Sequence, residues 1–163
     1  EGSKLLHENL EWLGPIQYTE EEQEFARILL ESFPKKDGSQ KDHGLLGKVA
    51  PLVLPPPPPE RGSTDLSDVS WRVPLIHLRV ATMPQGIPGH SWGVVACGGM
   101  SIGQKGMLHA AKALAATAID LYLNADARQR IQDEFKEKTV GFVYKSYLPE
   151  GPPPVPSQDS SEG

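Results

Sequence analysis

Cysteine is nearly absent. Cys97 is the only one in 163 residues, so no disulfide can form within the chain. A lone thiol fits a reducing compartment, and a cytoplasmic location is expected. Basic charge is also scarce. The formal net charge is −5 and no Lys/Arg stripe stands out, which argues against a nucleic-acid partner. Long apolar runs are missing too. The best candidate, around 107–123, is interrupted by Lys112 and Asp120, so no membrane span is expected. The first residues, EGSKLLHENL, lack the charged-then-apolar layout of a signal peptide. They also lack an initiator methionine, as expected of a fragment or a processed product.

The usual short catalytic signatures are absent as well. None of the five histidines (His7, His43, His77, His90, His109) forms HExxH or a paired Cys/His spacing, so no self-contained metal site is visible. There is no GxSxG elbow and no P-loop.

What is present suffices for one domain with a core. Leu6, Leu10 and Leu13 share one face of a short helix over 3–13, which Gly14-Pro15 stops. Thr19 and Glu22 form a capping box for a second helix, with Phe25, Ile28, Leu29 and Phe33 as its apolar face and Pro34 at its end. Residues 35–62 read as irregular and include five consecutive prolines, a stiff connector or a partner-binding motif. VPLIHLRVAT (73–82) alternates like a half-buried strand, and HSWGVVAC (90–97) reads as a second strand. GGMSIGQKG leads into a long alanine-rich helix over about 101–123. A further helix over 127–138 carries Ile131 and Phe135 on its face, with Asn124 or Asp126 as cap. The tail, 149–163, is rich in proline and serine and is expected to be disordered. The pattern predicts an α/β fold with too few strands for a complete sheet, hence part of a larger layered domain.

A few places could carry chemistry. His90 follows QGIPG, a turn that would expose it, and an imidazole there could serve as a ligand or simply be a loop histidine. Asp65 and Asp68, in GSTDLSDVSW (62–71), could fix an imidazole tautomer or make local Asx turns. Trp71 closes that stretch, as a cleft wall or as core packing. GGMSIG could cradle an anion or make a tight turn into a helix.

GSTDLSDVSW, then ATMPQGIPGHSWGVVACGGMSIGQKGM (81–107), then the alanine-rich helix, resemble the zinc-dependent aminoacylase/carboxypeptidase-type metallopeptidase and amidohydrolase family. The likeness is to the C-terminal part of its aminobenzoyl-glutamate hydrolase members. HENLEWLGPIQYTEEEQEFAR (7–27) resembles the passage by which these enzymes return from an inserted lid domain. The resemblance implies a layered α/β/α sandwich with a mixed sheet, incomplete here. It implies a lid-return segment over 1–14 and part of the catalytic domain over 15–148. It implies hydrolysis of the amide bond of an N-acyl or aminobenzoyl amino acid by water activated on a divalent metal, zinc or manganese. His90 matches the last metal ligand. Asp65 matches one member of the family's acidic pair, and Asp68 and Trp71 fit the narrower pattern of the aminobenzoyl-glutamate hydrolases. The other ligands and the general base would lie in an N-terminal half outside this sequence, so the chain alone is expected to be inactive. The implied partners are that half, the lid that mediates homo- or hetero-oligomers such as dimers, and a small amide substrate. The competing reading is a non-enzymatic interaction module built on the proline-rich segments.

Overall fold

A computed structural model describes residues 1–33, 44–54, 64–146, 148 and 150–152. Pro34, the proline run 55–59, Gly62-Ser63 and most of the proline- and serine-rich tail lie outside the described residues.

Six helices follow one another among the described residues: α1 (Gly2–Leu13), α2 (Glu20–Glu31), α3 (Leu66–Ser70), α4 (Trp92–Gly98), α5 (Ser101–Leu123) and α6 (Ala125–Lys138). No strand accompanies them among these residues, which overturns the expected α/β sandwich with its mixed sheet. The two expected strands fail for different reasons. Over 73–80 the alternation is real: Ile76, Leu78 and Val80 are half-buried, while His77 and Arg79 are exposed. A ladder needs a second extended segment, and among the described residues this one pairs with none. The other stretch is helical instead. A short apolar run cannot be told from a buried helical turn by periodicity alone. In α4, Gly93 and Cys97 are buried one turn apart, which is helical spacing.

The helical expectations fare better. Gly14 ends α1 at φ 72°, a left-handed value that glycine adopts freely. The Thr19/Glu22 capping box forms reciprocally: Thr19 N–H donates to Glu22 Oε2 at 2.7 Å, and Glu22 N–H to Thr19 Oγ1 at 3.2 Å. The buried face of α2 is shifted from the one expected. Glu22, Ala26 and Leu29 are buried, whereas Ile28 is exposed. Asn124 alone joins α5 to α6, and its side chain accepts from Ala127 N–H at 3.0 Å.

The core gathers Ala26, Leu29, Leu45, Ile87, Cys97 and Ile102, with Phe25, Phe33 and Met100 packed around it. α1 and α4 both pack on α5. Small residues make close approaches to α5 possible. A Cβ on Gly103 would lie 2.7 Å from the Cys97 carbonyl oxygen, and one on Gly106 would lie 2.6 Å from that of Ala81. These two glycines of GGMSIGQKG are therefore contact points for backbone. Polar ties supplement the packing. Asn9 Nδ2 donates to Asp120 Oδ2 at 2.7 Å, linking α1 to α5.

Candidate functional site

The turn that carries His90 is built from the core outward. Pro84 and Ile87 are buried and anchor it, with Ile87 N–H donating to the Pro84 carbonyl at 3.4 Å. Gly86 at φ 109° lets the chain reverse. His90 then adopts φ 58°, the one positive value among non-glycine described residues. Histidine is among the residues that tolerate this region, but the conformation remains costly and is commonly held at functional positions. Ser91 Oγ donates to the Pro88 carbonyl at 2.7 Å, and Ser91 is the residue from which α4 starts. His90 is exposed. Trp92 follows, 58% exposed, with its ring stacked on Phe33 at 5.0 Å between centroids.

The second segment, 64–72, is locally pinned. Leu66 N–H donates to Thr64 Oγ1 at 3.3 Å, Ser67 Oγ to the Thr64 carbonyl at 3.2 Å, and Ser70 Oγ to the Ser67 carbonyl at 2.7 Å. These bonds shape the short helix α3. The local turn is made by Thr64 and the serines, and Asp65, the residue before α3, makes no capping bond with its side chain. Both aspartates are exposed.

Asp68 and Trp71 face residues near the C-terminal end of the described chain. The Tyr144 hydroxyl donates to Asp68 Oδ1 at 3.1 Å, and the Arg72 guanidinium lies 4.4 Å from the centre of the Tyr144 ring. Desolvation, then the Asp68 carboxylate, pushes the Tyr144 hydroxyl above its ordinary value. Trp71, 41% exposed, stacks on Phe142 with centroids 3.8 Å apart. Trp71 is thus neither core nor free. It also borders a cavity of about 620 Å³ between α1, residues 52–54, residues 74–76 and α6. Leu75, Ile76, Ile131 and Phe135 contribute to its apolar wall, and Glu1, Lys4, Glu134 and Lys138 supply its charges. The sequence hints at this arrangement only through the aromatic residues of GFVYKSY, which carry no periodic signal.

His90 and the two aspartates therefore sit in separate local frameworks. Among the described residues, no group of three His, Cys, Asp or Glu side chains could hold a metal ion. A catalytic zinc takes about three protein ligands plus water. The described donors do not fit such a metal by themselves.

A third polar cluster is visible in sequence only through its capping box. Glu22, only 6% exposed, accepts from Lys105 Nζ at 2.6 Å and from Ser101 Oγ at 2.6 Å. Lys105 Nζ also donates to the Gln17 carbonyl at 2.9 Å. Burial pushes the Glu22 carboxyl up, but the bonds from Lys105, Ser101 and Thr19 outweigh it and hold the group below its ordinary value. Both carboxylate oxygens have donors, so this cluster ties α2 to α5 rather than offering an open position for a ligand.

No helix among the described residues is long and apolar enough to cross a membrane. No family model and no solved structure matches the chain. Among curated proteins, the chain is 38% identical over 94 residues to a subunit of the p-aminobenzoyl-glutamate hydrolase of Escherichia coli (strain K12). The matched stretch covers 58% of this chain but only 20% of that relative, so the chain is a relative of about one fifth of a longer hydrolase polypeptide.

Proposed function

We propose that this chain is the C-terminal portion of a metal-dependent amidohydrolase. Its reaction would be cleavage of the amide bond in N-acyl or aminobenzoyl amino acids, aminobenzoyl-glutamate among them. The observation that carries the reading is the 38% identity over 94 residues to a protein named as part of an aminobenzoyl-glutamate hydrolase. The strained, exposed turn at His90 supports it, because such a conformation at a polar residue is most readily kept for a role.

In this reading His90 gives one ligand to a zinc or manganese ion whose other ligands lie outside these residues. A divalent metal supplies a bound water of lowered pKa and polarises a carbonyl oxygen. In the complete enzyme, on this reading, Asp65 and Asp68 would orient groups around that metal and Trp71 would line the cleft that forms there. The complete enzyme is cytoplasmic and oligomeric, and its lid and N-terminal half are the partners of this portion.

The test uses the complete polypeptide encoded by the gene. It is purified, its zinc and manganese content is measured, and it is assayed on p-aminobenzoyl-glutamate and on N-acetyl amino acids. Stoichiometric metal with metal-dependent release of glutamate or of the free amino acid is expected. Absence of hydrolysis on both substrate sets, with metal bound or added, removes the assignment.

A further inference from the structure

The turn that carries His90 is gripped on both sides by the end of α2. Ala26, Leu29, Leu30 and Phe33 are spaced three and four residues apart and share one stripe. Phe33 N–H donates to the Leu30 carbonyl at 3.1 Å, which carries the helical path just past Glu31. Ahead of His90, Ile87 is buried in the cluster that holds Ala26 and Leu29. Leu30 lies close by, since a Cβ on Gly86 would sit 3.3 Å from its Cδ2. Beyond His90, the Phe33 ring stacks on Trp92. A Cβ on Gly93 would lie 2.8 Å from Phe33 Cζ and 2.9 Å from Ile87 Cγ2, so Phe33 and Ile87 meet beneath the turn. Only Pro88, Gly89, His90 and Ser91 lie between Ile87 and Trp92, and the first three are exposed.

The place of the strain is informative. Glycine takes a left-handed φ at little steric cost, and Gly89 stands beside His90. The positive value of 58° nevertheless falls on His90 and not on Gly89. A short turn with both shoulders held has few ways to close, and this one closes through the histidine. Because φ sets the path of the Cα–Cβ bond relative to the flanking backbone, whatever holds the shoulders also sets the direction of the imidazole.

We propose that Phe33 is a positioning residue for His90: its ring, seated under Trp92 and Gly93 and backed by Leu30 at Gly86, holds the turn closed and so fixes the aim of the imidazole. Phe33 itself touches no reacting group. The proposal rests on the reading of His90 as part of a hydrolase site, but its first readout involves no substrate.

The test uses the complete polypeptide, labelled with 13C-histidine. The His90 ring signal is assigned by its loss in His90→Gly. Phe33→Leu keeps most of the apolar volume and removes the ring. Leu6→Ala, at a buried position of α1 outside that core cluster, is the control for general loosening. Phe33→Leu should shift or split the His90 signal, and Leu6→Ala should leave it in place. In the hydrolysis assay, Phe33→Leu should lower kcat by at least about tenfold with KM little changed, as misplacement of a reacting-site group does. Leu6→Ala should lower the melting temperature but keep kcat. If Phe33→Leu does not fold, Trp92→Leu, at an exposed position, removes the other half of the stack and is read in the same way. An unmoved His90 signal overturns the proposal, as does an equal displacement by Leu6→Ala. A displaced signal with unchanged kcat in an active enzyme also overturns it. A displaced signal in a polypeptide that hydrolyses nothing keeps the hold of Phe33 on the imidazole and discards the enzymatic reading instead.

Discussion

At the scale of single residues, His90 couples backbone strain to a side chain with metal-binding chemistry. The two can be separated by substitution. Glycine at 90 keeps φ 58° without the Cβ penalty, so His90→Gly should hold or raise stability, by up to about 1 kcal/mol. If the imidazole is a ligand, the same change in the complete enzyme should lower metal content and nearly abolish turnover. Thermal melting, elemental analysis and hydrolysis assays on the one variant read both effects. Normal turnover with full metal would remove His90 from the site. Glu22 poses the opposite case, a buried charge satisfied by its neighbours. Its folded-state pKa is depressed below 4.5, so its contribution is complete at neutral pH and is lost as the pH falls below that value. Removing one partner of a buried ion pair costs about 3–5 kcal/mol, and the partial exposure of Lys105 places Glu22→Gln at or below the low end of that range. Denaturant melts should show the variant weaker at pH 7 and less sensitive to acid below pH 4.5 than the parent. Parallel stability curves for parent and variant would mean that the pair contributes nothing.

At the scale of elements, the legible parts are those with local signals. The capping box at Thr19 and Glu22, the stop at Gly14 and the whole of α5 can be read directly, because caps, breakers and alanine content act within a few residues. The 90–97 stretch misleads because a short apolar run fits a strand or a helical turn equally well, and only burial of Gly93 and Cys97 one turn apart decides it. Glu22 lying against Lys105 is beyond reach, since 83 residues separate them in sequence. The contact of Asp68 with Tyr144, which is 76 residues away, is hidden for the same reason. The glycines of α5 give an element-level prediction. In an open helix, Gly→Ala stabilises by about 1 kcal/mol. Here Gly106→Ala places a methyl 2.6 Å from the Ala81 carbonyl oxygen, and Gly103→Ala meets two carbonyl oxygens at 2.7 Å. Both variants should melt below the parent despite better helix propensity. A rise in melting temperature for both would show that α5 does not seat as closely as described. The α3 segment gives another. Its Asp68 pairs at the surface with Tyr144, and exposed polar contacts of this kind add little to stability. Asp68→Asn should therefore leave melting nearly unchanged. In the complete enzyme it should reduce hydrolysis by about 10–100-fold if the carboxylate orients groups at the cleft. An unchanged rate would leave Asp68 as a surface tie alone.

At the scale of the whole molecule, the chain divides between a finished side and an unfinished one. The core around Ala26, Leu29, Ile87, Cys97 and Ile102 is closed, and among the described residues every buried polar side-chain atom has a partner. Elsewhere, large apolar groups stand in water: Trp92 and Val95 on α4, Leu108, Ile119 and Tyr122 on α5, and Val140 and Val143 beyond α6. The described donors also fall short of a metal site. On the proposed reading as part of a metal-dependent hydrolase, the two features point the same way, since a neighbour that covered the apolar faces could also bring metal ligands. The 163-residue chain by itself should then be marginally folded and catalytically silent. It should bind a hydrophobic dye and unfold over a broad denaturant range, while adding the rest of the polypeptide should sharpen the transition and suppress dye binding. Metal should stabilise only the assembled form, because an ion that binds the complete site and not its parts shifts folding by mass action. The decisive measurement is the simplest. The chain is purified, supplied with zinc or manganese, and assayed on p-aminobenzoyl-glutamate. No product is expected at any metal concentration. Metal-dependent release of glutamate by these residues alone would mean that a complete catalytic set lies among them, and that His90 works with donors outside the described segments.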